Sequence, residues 1–279
     1  MNAKMKRFQN YETKYFQGDC MRISVMMGIG LLAPVFCIVN CLAGENIQKL
    51  KIQTIVVFGD STTAARGKLE IYANLLASEL PAMGIPTGII NAGIGGNTTQ
   101  NATIRFEKDV LEKNPDLVVI QFGINDSAID VWEKPPASEP RVSKDKYIKN
   151  LQNFVETLKT RKCRVILMTP NPIYWTQALK NYYGKPPYLP DDPDGFNVTL
   201  REYAQAVRQL AEKQKIPLID VYAAFSDYGK MKNQNVNDLL LDGMHPNDKG
   251  HRIVADLLIN EIMNLNNVPG KKDILKEGK

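Results

Sequence analysis

Ser61 stands in Phe58-Gly59-Asp60-Ser61-Thr62-Thr63, at the end of the apolar run Ile55–Phe58. Such a run reads as a buried strand, and Gly59 lets the backbone turn sharply and approach closely. Ser61 therefore falls just past the carboxyl end of a strand, near a helix start. Open α/β sheets bind ligands there, and helix-start amides favour negative charge. A serine so placed is a nucleophile if a base reaches it; without one, Asp60, Ser61 and Thr62 read as helix-capping residues. The chain has two histidines, His245 and His251. His245 follows Asp242 by three residues in Asp242-Gly243-Met244-His245-Pro246. That spacing lets the carboxylate fold back onto Nδ1, fix the tautomer and leave Nε2 for Ser61. Taken alone, the pair equally fits a turn followed by a helix cap. His251 falls on a helical stretch and reads as a residue of its surface. A tetrahedral oxyanion needs preorganised donors. Gly96 can offer a backbone amide, Ser61 its own, and Asn125 a side-chain amide. Taken separately, the Gly95-Gly96 and Asn125-Asp126 pairs read as a tight turn and an Asx turn.

Alternating elements must hold these residues together. Leu69, Tyr72, Ala73, Leu76 and Leu80 recur at helical spacing, so a helix is expected over 69–80, ended by Pro81 and Gly84. Gly88–Asn91 reads as a second strand, followed by the loop Gly93-Ile94-Gly95-Gly96. Thr98 or Thr99 caps a helix through Ala102, Phe106, Val110 and Leu111. Leu117–Phe122 is a third, strongly apolar strand. A helix over Lys146–Thr160 and a strand over Val165–Met168 come next. The connection Pro170–Phe196 is long, and loops of that length are functional or mobile. A helix over Val198–Gln214, a fifth strand over Leu218–Val221, and a final helix capped by Asn247 or Asp248 and running to about Met263 complete the pattern. Strands alternating with helices imply an α/β fold with a mainly parallel sheet covered on both faces. Five strands fit a three-layer α/β/α, flavodoxin-like, doubly wound arrangement of order 2-1-3-4-5. The loops after strands 1, 2 and 3 then converge, carrying Ser61, Gly96 and Asn125.

The hydrophobic share of 44% in 279 residues supports one sizeable core and argues against disorder. The formal charge is +5, but five Lys/Arg and only two Asp/Glu fall within residues 1–43, so the remainder is close to neutral. That gives no ground for a nucleic-acid partner. Ile23–Ala43 is nearly uncharged and mostly apolar, follows Arg22, is interrupted by Pro34 and Asn40, and ends in Cys41-Leu42-Ala43. It is read as a secretory signal peptide spanning about 22–43 rather than a membrane span, so no stable membrane insertion is expected after processing. Met21 offers an alternative start. Cys41 after Asn40 makes lipid anchoring the lesser reading. The expected organisation is an extension and signal peptide over 1–43, one domain over 44–265, and a lysine-rich, fraying tail over 266–279. Cys163 alone would remain in the processed chain, leaving no internal disulfide and no cysteine metal cluster.

Gly59-Asp60-Ser61, Gly96, Gly123-Ile124-Asn125-Asp126 and Asp242-Gly243-Met244-His245 resemble, in order, the four blocks of the SGNH or GDSL hydrolase family. They span nearly the whole processed chain. The resemblance implies a carboxylic ester hydrolase with Ser61 as nucleophile, His245 as general base and acid, and Asp242 as its orienter. It also implies an oxyanion hole of the Ser61 and Gly96 amides and the Asn125 side chain, with no metal or organic cofactor. Thr62 stands where the family's namesake motif has leucine, which weakens a lipase label.

The family spans lipases, thioesterases, arylesterases and sugar acetylesterases, so it does not choose the ester. Trp132, Tyr174 and Trp175, in the two insertions, are candidates to stack on a sugar ring; alternatively they pack the loops onto the scaffold. Export and a near-neutral charge suit a secreted esterase removing acetyl groups from a glycan. The alternatives are a lipase or thioesterase acting on longer acyl chains, an inactive glycan-binding domain, and a flavodoxin-like nucleotide binder using Gly93–Thr99. The last lacks a P-loop lysine and dinucleotide spacing.

Overall fold

The computed structural model describes residues 52–266. The expected signal peptide and almost all of the tail lie outside the described residues. Five strands, β1 (Thr54–Gly59), β2 (Gly88–Gly93), β3 (Leu117–Gln121), β4 (Arg164–Met168) and β5 (Leu218–Ile219), form one sheet of order β2-β1-β3-β4-β5. Every pairing is parallel. Seven α-helices cover it: α1 (Tyr72–Ala82), α2 (Thr99–Asp109), α3 (Lys144–Thr160), α4 (Gln177–Tyr183), α5 (Leu200–Gln214), α6 (Val221–Gly229) and α7 (Asp248–Leu265). This is the expected three-layer arrangement. Among the described residues no helix is long and apolar enough to cross a membrane.

The central strand shows why the sheet must be covered twice. Side chains alternate across a strand, and Ile55, Val56, Val57 and Phe58 are all completely buried. Ile55 and Val57 pack with Leu76 of α1 and Leu258 and Ile262 of α7. Val56 and Phe58 face the other way, onto Phe106 of α2 and Leu151 and Phe154 of α3. The Phe58 ring meets those of Phe122 at 5.2 Å and Phe154 at 5.6 Å, both edge-on, a favoured aromatic geometry. Both faces of β1 are packed, so its carboxyl end is held from either side.

Several elements differ from expectation. No helix begins at Ser61. The Asp60 carbonyl accepts the amides of Thr63 and Ala64, closing a single turn, and α1 starts only at Tyr72. Pro81 lies inside the last turn of α1 rather than ending it. β5 has only two residues, because the Asp220 side chain caps a helix absent from the sequence reading, α6, by accepting the Ala223 amide at 3.0 Å. The Pro170–Phe196 connection carries α4 and is packed. Trp175, Tyr188 and Phe196 join Ile129 and Val131 in a third apolar cluster, with Trp175 edge-on to Phe196 at 4.7 Å and Tyr188 stacked on Phe196 at 4.8 Å. His251 is not a surface residue: it is buried near the Tyr72 ring, and burial pushes its imidazole down to about 4.

Candidate active site

The end of β1 positions Ser61 through close contacts beneath it. A Cβ on Gly59 would meet Thr63 Oγ1 at 2.2 Å and the Gln121 carbonyl at 2.7 Å, so only glycine lets the Ser61 turn settle onto β3. Asp60 is buried, and burial pushes its carboxyl up against the opposing effect of two bonds from Thr62, from the amide at 2.9 Å and the hydroxyl at 2.8 Å. Arg105, on α2, ties the strand ends together. Its guanidinium donates to the carbonyls of Gly59 (2.9 Å) and Ala92 (2.7 Å) and to Asn97 Oδ1 (2.8 Å), and lies 4.6 Å over the Phe58 ring.

On this platform the Ser61 hydroxyl lies 2.9 Å from His245 Nε2, and His245 Nδ1 lies 2.8 Å from Asp242 Oδ2. A carboxylate is acceptor-only. Nδ1 therefore carries the hydrogen, and Nε2 is left to accept the serine proton. Asp242 Oδ1 accepts the amides of His245 (2.9 Å) and Met244 (3.1 Å). Burial opposes its charge, but the His245 and backbone donors win and hold the carboxyl well below the usual range. The turn carrying this pair is anchored from outside: Asn171 Nδ2 donates to the Met244 carbonyl at 2.9 Å, and the Tyr174 amide to the Gly243 carbonyl at 2.7 Å.

The loop after β2 passes the serine closely, since a Cβ on Gly95 would lie 3.8 Å from that of Ser61. Gly96 follows with φ +74°, which only glycine adopts readily. Asn125 Nδ2 donates to the Asn97 carbonyl at 3.1 Å, bringing the loops after β2 and β3 together. The two loops are locked below by Asp126, whose Oδ1 accepts the Thr99 amide (2.8 Å) and hydroxyl (2.5 Å) at the start of α2. Its Oδ2 is buried without a partner among the described residues. Burial outweighs the two threonine donors and pushes the carboxyl up to about 7.

That shift has a consequence for stability. An unfolded aspartate ionises near pH 4, whereas folded Asp126 holds its proton to about 7. Between these values the unfolded state binds fewer protons, so stability falls as pH rises. Asp126→Asn, which keeps the acceptor for Thr99, is expected to lose this component. Its unfolding free energy from urea titration should gain on the wild type steadily from pH 4.5 to pH 7, by at most about 1.4 kcal/mol per pH unit. A pH-independent difference would show that Asp126 is ionised throughout.

Of the three aromatic candidates, Trp132 is 45% exposed, with its indole N–H donating to Asp130 Oδ1 at 3.1 Å. Tyr174 is half-buried and its hydroxyl accepts from Asn235 Nδ2 at 3.2 Å. Trp175 is buried in the third cluster and donates to the Leu189 carbonyl. The expectation of a rim residue is corrected there, since its ring presents no face to a ligand. Residues that the sequence reading left without a role are Arg105, Asn171, Asp130 and Arg141. Arg141 ends the polar, proline-rich stretch Trp132–Arg141, and Asp130 lies two residues before that stretch begins.

Comparison with known proteins shows the family and the fold. The model of the GDSL-like lipase/acylhydrolase family matches residues 57–253. An acetylxylan esterase of Geobacillus stearothermophilus is 31% identical over 199 residues, 70% of this chain and 80% of that protein. A Bacillus subtilis protein named an uncharacterized lipoprotein is 33% identical over 219 residues, 73% of this chain and 87% of that protein. The crystal structure of an acetylxylan esterase from Geobacillus stearothermophilus superposes with a TM-score of 0.60 at 29% identity, covering 76% of this chain and 96% of that one.

Proposed function

This chain belongs to the GDSL-like lipase/acylhydrolase family and is a carboxylic ester hydrolase; we propose that it is a secreted serine esterase that removes small acyl groups, acetyl foremost, from a carbohydrate. The observation that carries the mechanism is the continuous hydrogen-bonded line Ser61 Oγ, His245 Nε2, His245 Nδ1, Asp242 Oδ2, at 2.9 and 2.8 Å. Ser61 Oγ attacks the ester carbonyl carbon as its proton passes to Nε2. The developing oxyanion meets the amides of Ser61 and Gly96 and the Asn125 side chain. Collapse breaks the bond to the alkoxy oxygen, which leaves with the proton from Nε2. Water then repeats the sequence on the acyl-serine, giving the carboxylic acid and free Ser61.

A carbohydrate ester as substrate is supported by the acetylxylan esterase relatives and by the exposed Trp132 ring, which can stack on a sugar. Ile94 and Leu241, about half exposed beside Gly95 and Asp242, favour the second reading, a longer acyl chain. Initial rates on p-nitrophenyl acetate, butyrate and octanoate, with acetate release from acetylated xylan, separate the two. The expected result is a kcat/KM for acetate about tenfold or more above that for octanoate. Each methylene contributes about 0.8 kcal/mol if an apolar groove binds it, so a greasy site would reverse the order. Export rests on Ile23–Ala43. The intact mass of the processed chain distinguishes a start at Gly44 from a lipid-modified Cys41.

A further inference from the structure

We propose that Arg141 is a positioning residue for the Asn125 amide, held to that task by Asp130; the inference rests on the reading of Asn125 as an oxyanion donor. Arg141 Nη1 donates to Asn125 Oδ1 at 3.3 Å, while the Asn97 carbonyl accepts from Asn125 Nδ2 at 3.1 Å. A guanidinium only donates and a carbonyl only accepts. Together they permit one orientation of the amide: oxygen toward Arg141, nitrogen toward Asn97. One hydrogen of Nδ2 is used on Asn97. The other has no protein partner among the described residues and is the donor left for an oxyanion.

Arg141 is itself clamped. Its Nε and Nη2 each donate at 2.7 Å to the two oxygens of Asp130. The Arg141 amide donates to the Ala128 carbonyl at 2.9 Å, returning the insertion to the site at this residue. Asp130 is buried, and burial works against its charge, yet the Arg141 bonds hold its carboxyl below the usual range. The same carboxylate accepts from the Trp132 indole at 3.1 Å and the Tyr183 hydroxyl at 3.3 Å. One buried acid thus orients both the oxyanion amide, through Arg141, and the exposed indole at the rim. Only a planar fork grips Asp130 with two nitrogens and keeps a third for Asn125; a lysine ammonium is a single point charge.

The test is a double-mutant cycle on p-nitrophenyl acetate with wild type, Asn125→Ala, Arg141→Met and the double variant. Asn125→Ala is expected to cost about 10²–10³ in kcat. Arg141→Met is expected to cost about 10–10² in kcat with KM within about twofold, and almost nothing further in the Asn125→Ala background. Arg141→Lys is expected to recover part of the loss, and stands in should Arg141→Met not fold. An equal loss in both backgrounds, or a rise in KM at constant kcat, overturns the proposal. Should wild type and Ser61→Ala prove equally inactive, the esterase reading fails by itself. The positioning claim is then read from the side-chain 1H–15N pair of Asn125, assigned by its disappearance in Asn125→Ala. Displacement of that pair in Arg141→Met supports the claim, and an unmoved pair overturns it.

Discussion

Ser61→Ala is expected to lower turnover of p-nitrophenyl acetate by on the order of 10⁴–10⁶-fold, with the unfolding free energy in urea unchanged within about 0.5 kcal/mol. The two halves of this expectation come from the same contact. The Ser61 side chain is bonded to His245 Nε2 and is only partly buried, so its removal leaves neither a cavity nor a buried unsatisfied group. The turn that carries it is closed by backbone bonds to the Asp60 carbonyl and by Thr62, none of which involves the hydroxyl. What is lost is the atom that forms the acyl bond. The residual rate is that of an oxyanion hole acting on water. Steady-state rates against a mock purification, with chemical denaturation in parallel, check it. A loss below about tenfold would mean that the ester is cleaved elsewhere or by direct water attack.

Asp242→Asn is expected to cost about 10⁴-fold in kcat with little change in KM, by trapping the wrong histidine tautomer. The local backbone decides this outcome. Asp242 Oδ1 accepts the amides of Met244 and His245, both donors that only an oxygen can satisfy. In the variant the amide oxygen must stay on those donors, which places its NH₂ where Oδ2 now faces Nδ1 at 2.8 Å. The NH₂ donates to Nδ1, the imidazole hydrogen moves to Nε2, and Nε2 can no longer accept the Ser61 proton. Asp242→Ala loses the backbone anchor as well, so it disturbs the turn in addition to the tautomer. A midpoint unchanged in Asp242→Asn and lowered in Asp242→Ala, with kcat collapsed in both, is the expected pattern. An Asp242→Asn variant within tenfold of wild type would show that His245 finds its tautomer without the carboxylate.

The strands were legible because a parallel sheet buried on both faces imposes continuous apolar runs such as Val56-Val57-Phe58 and Leu117-Val118-Val119-Ile120. β5 and α6 were misread at a single residue. Asp220 interrupts the apolar run Leu218–Val221, and its capping signal lay in the sequence, but a two-residue strand carries too little pattern to separate from the helix that follows. His251 was misread although it shares the helical face of Val254, Leu258 and Ile262, which the 3.6-residue period does reveal. The absence of a helix at Ser61 was less visible: Asp60, Ser61 and Thr62 look like capping residues, and only the bonds of Thr62 to Gln121 and of Thr63 to Tyr72 show this turn held by other strands and helices instead.

The residue types and their order by themselves determined which groups are candidates to act. One serine follows a strand, one histidine has an aspartate three residues before it, and glycine and asparagine stand at two further strand ends; local spacing suffices for each. Tertiary structure alone decided how those groups are aimed. The Ser61–His245 bond spans 184 residues, the Arg141 bond that orients the Asn125 amide depends on an insertion folding back, and the Trp175 ring is withdrawn into a core built from two insertions and helices α5 and α6. Hydrogen-bond direction and burial depend on partners distant in the chain, and no local pattern of residues records them.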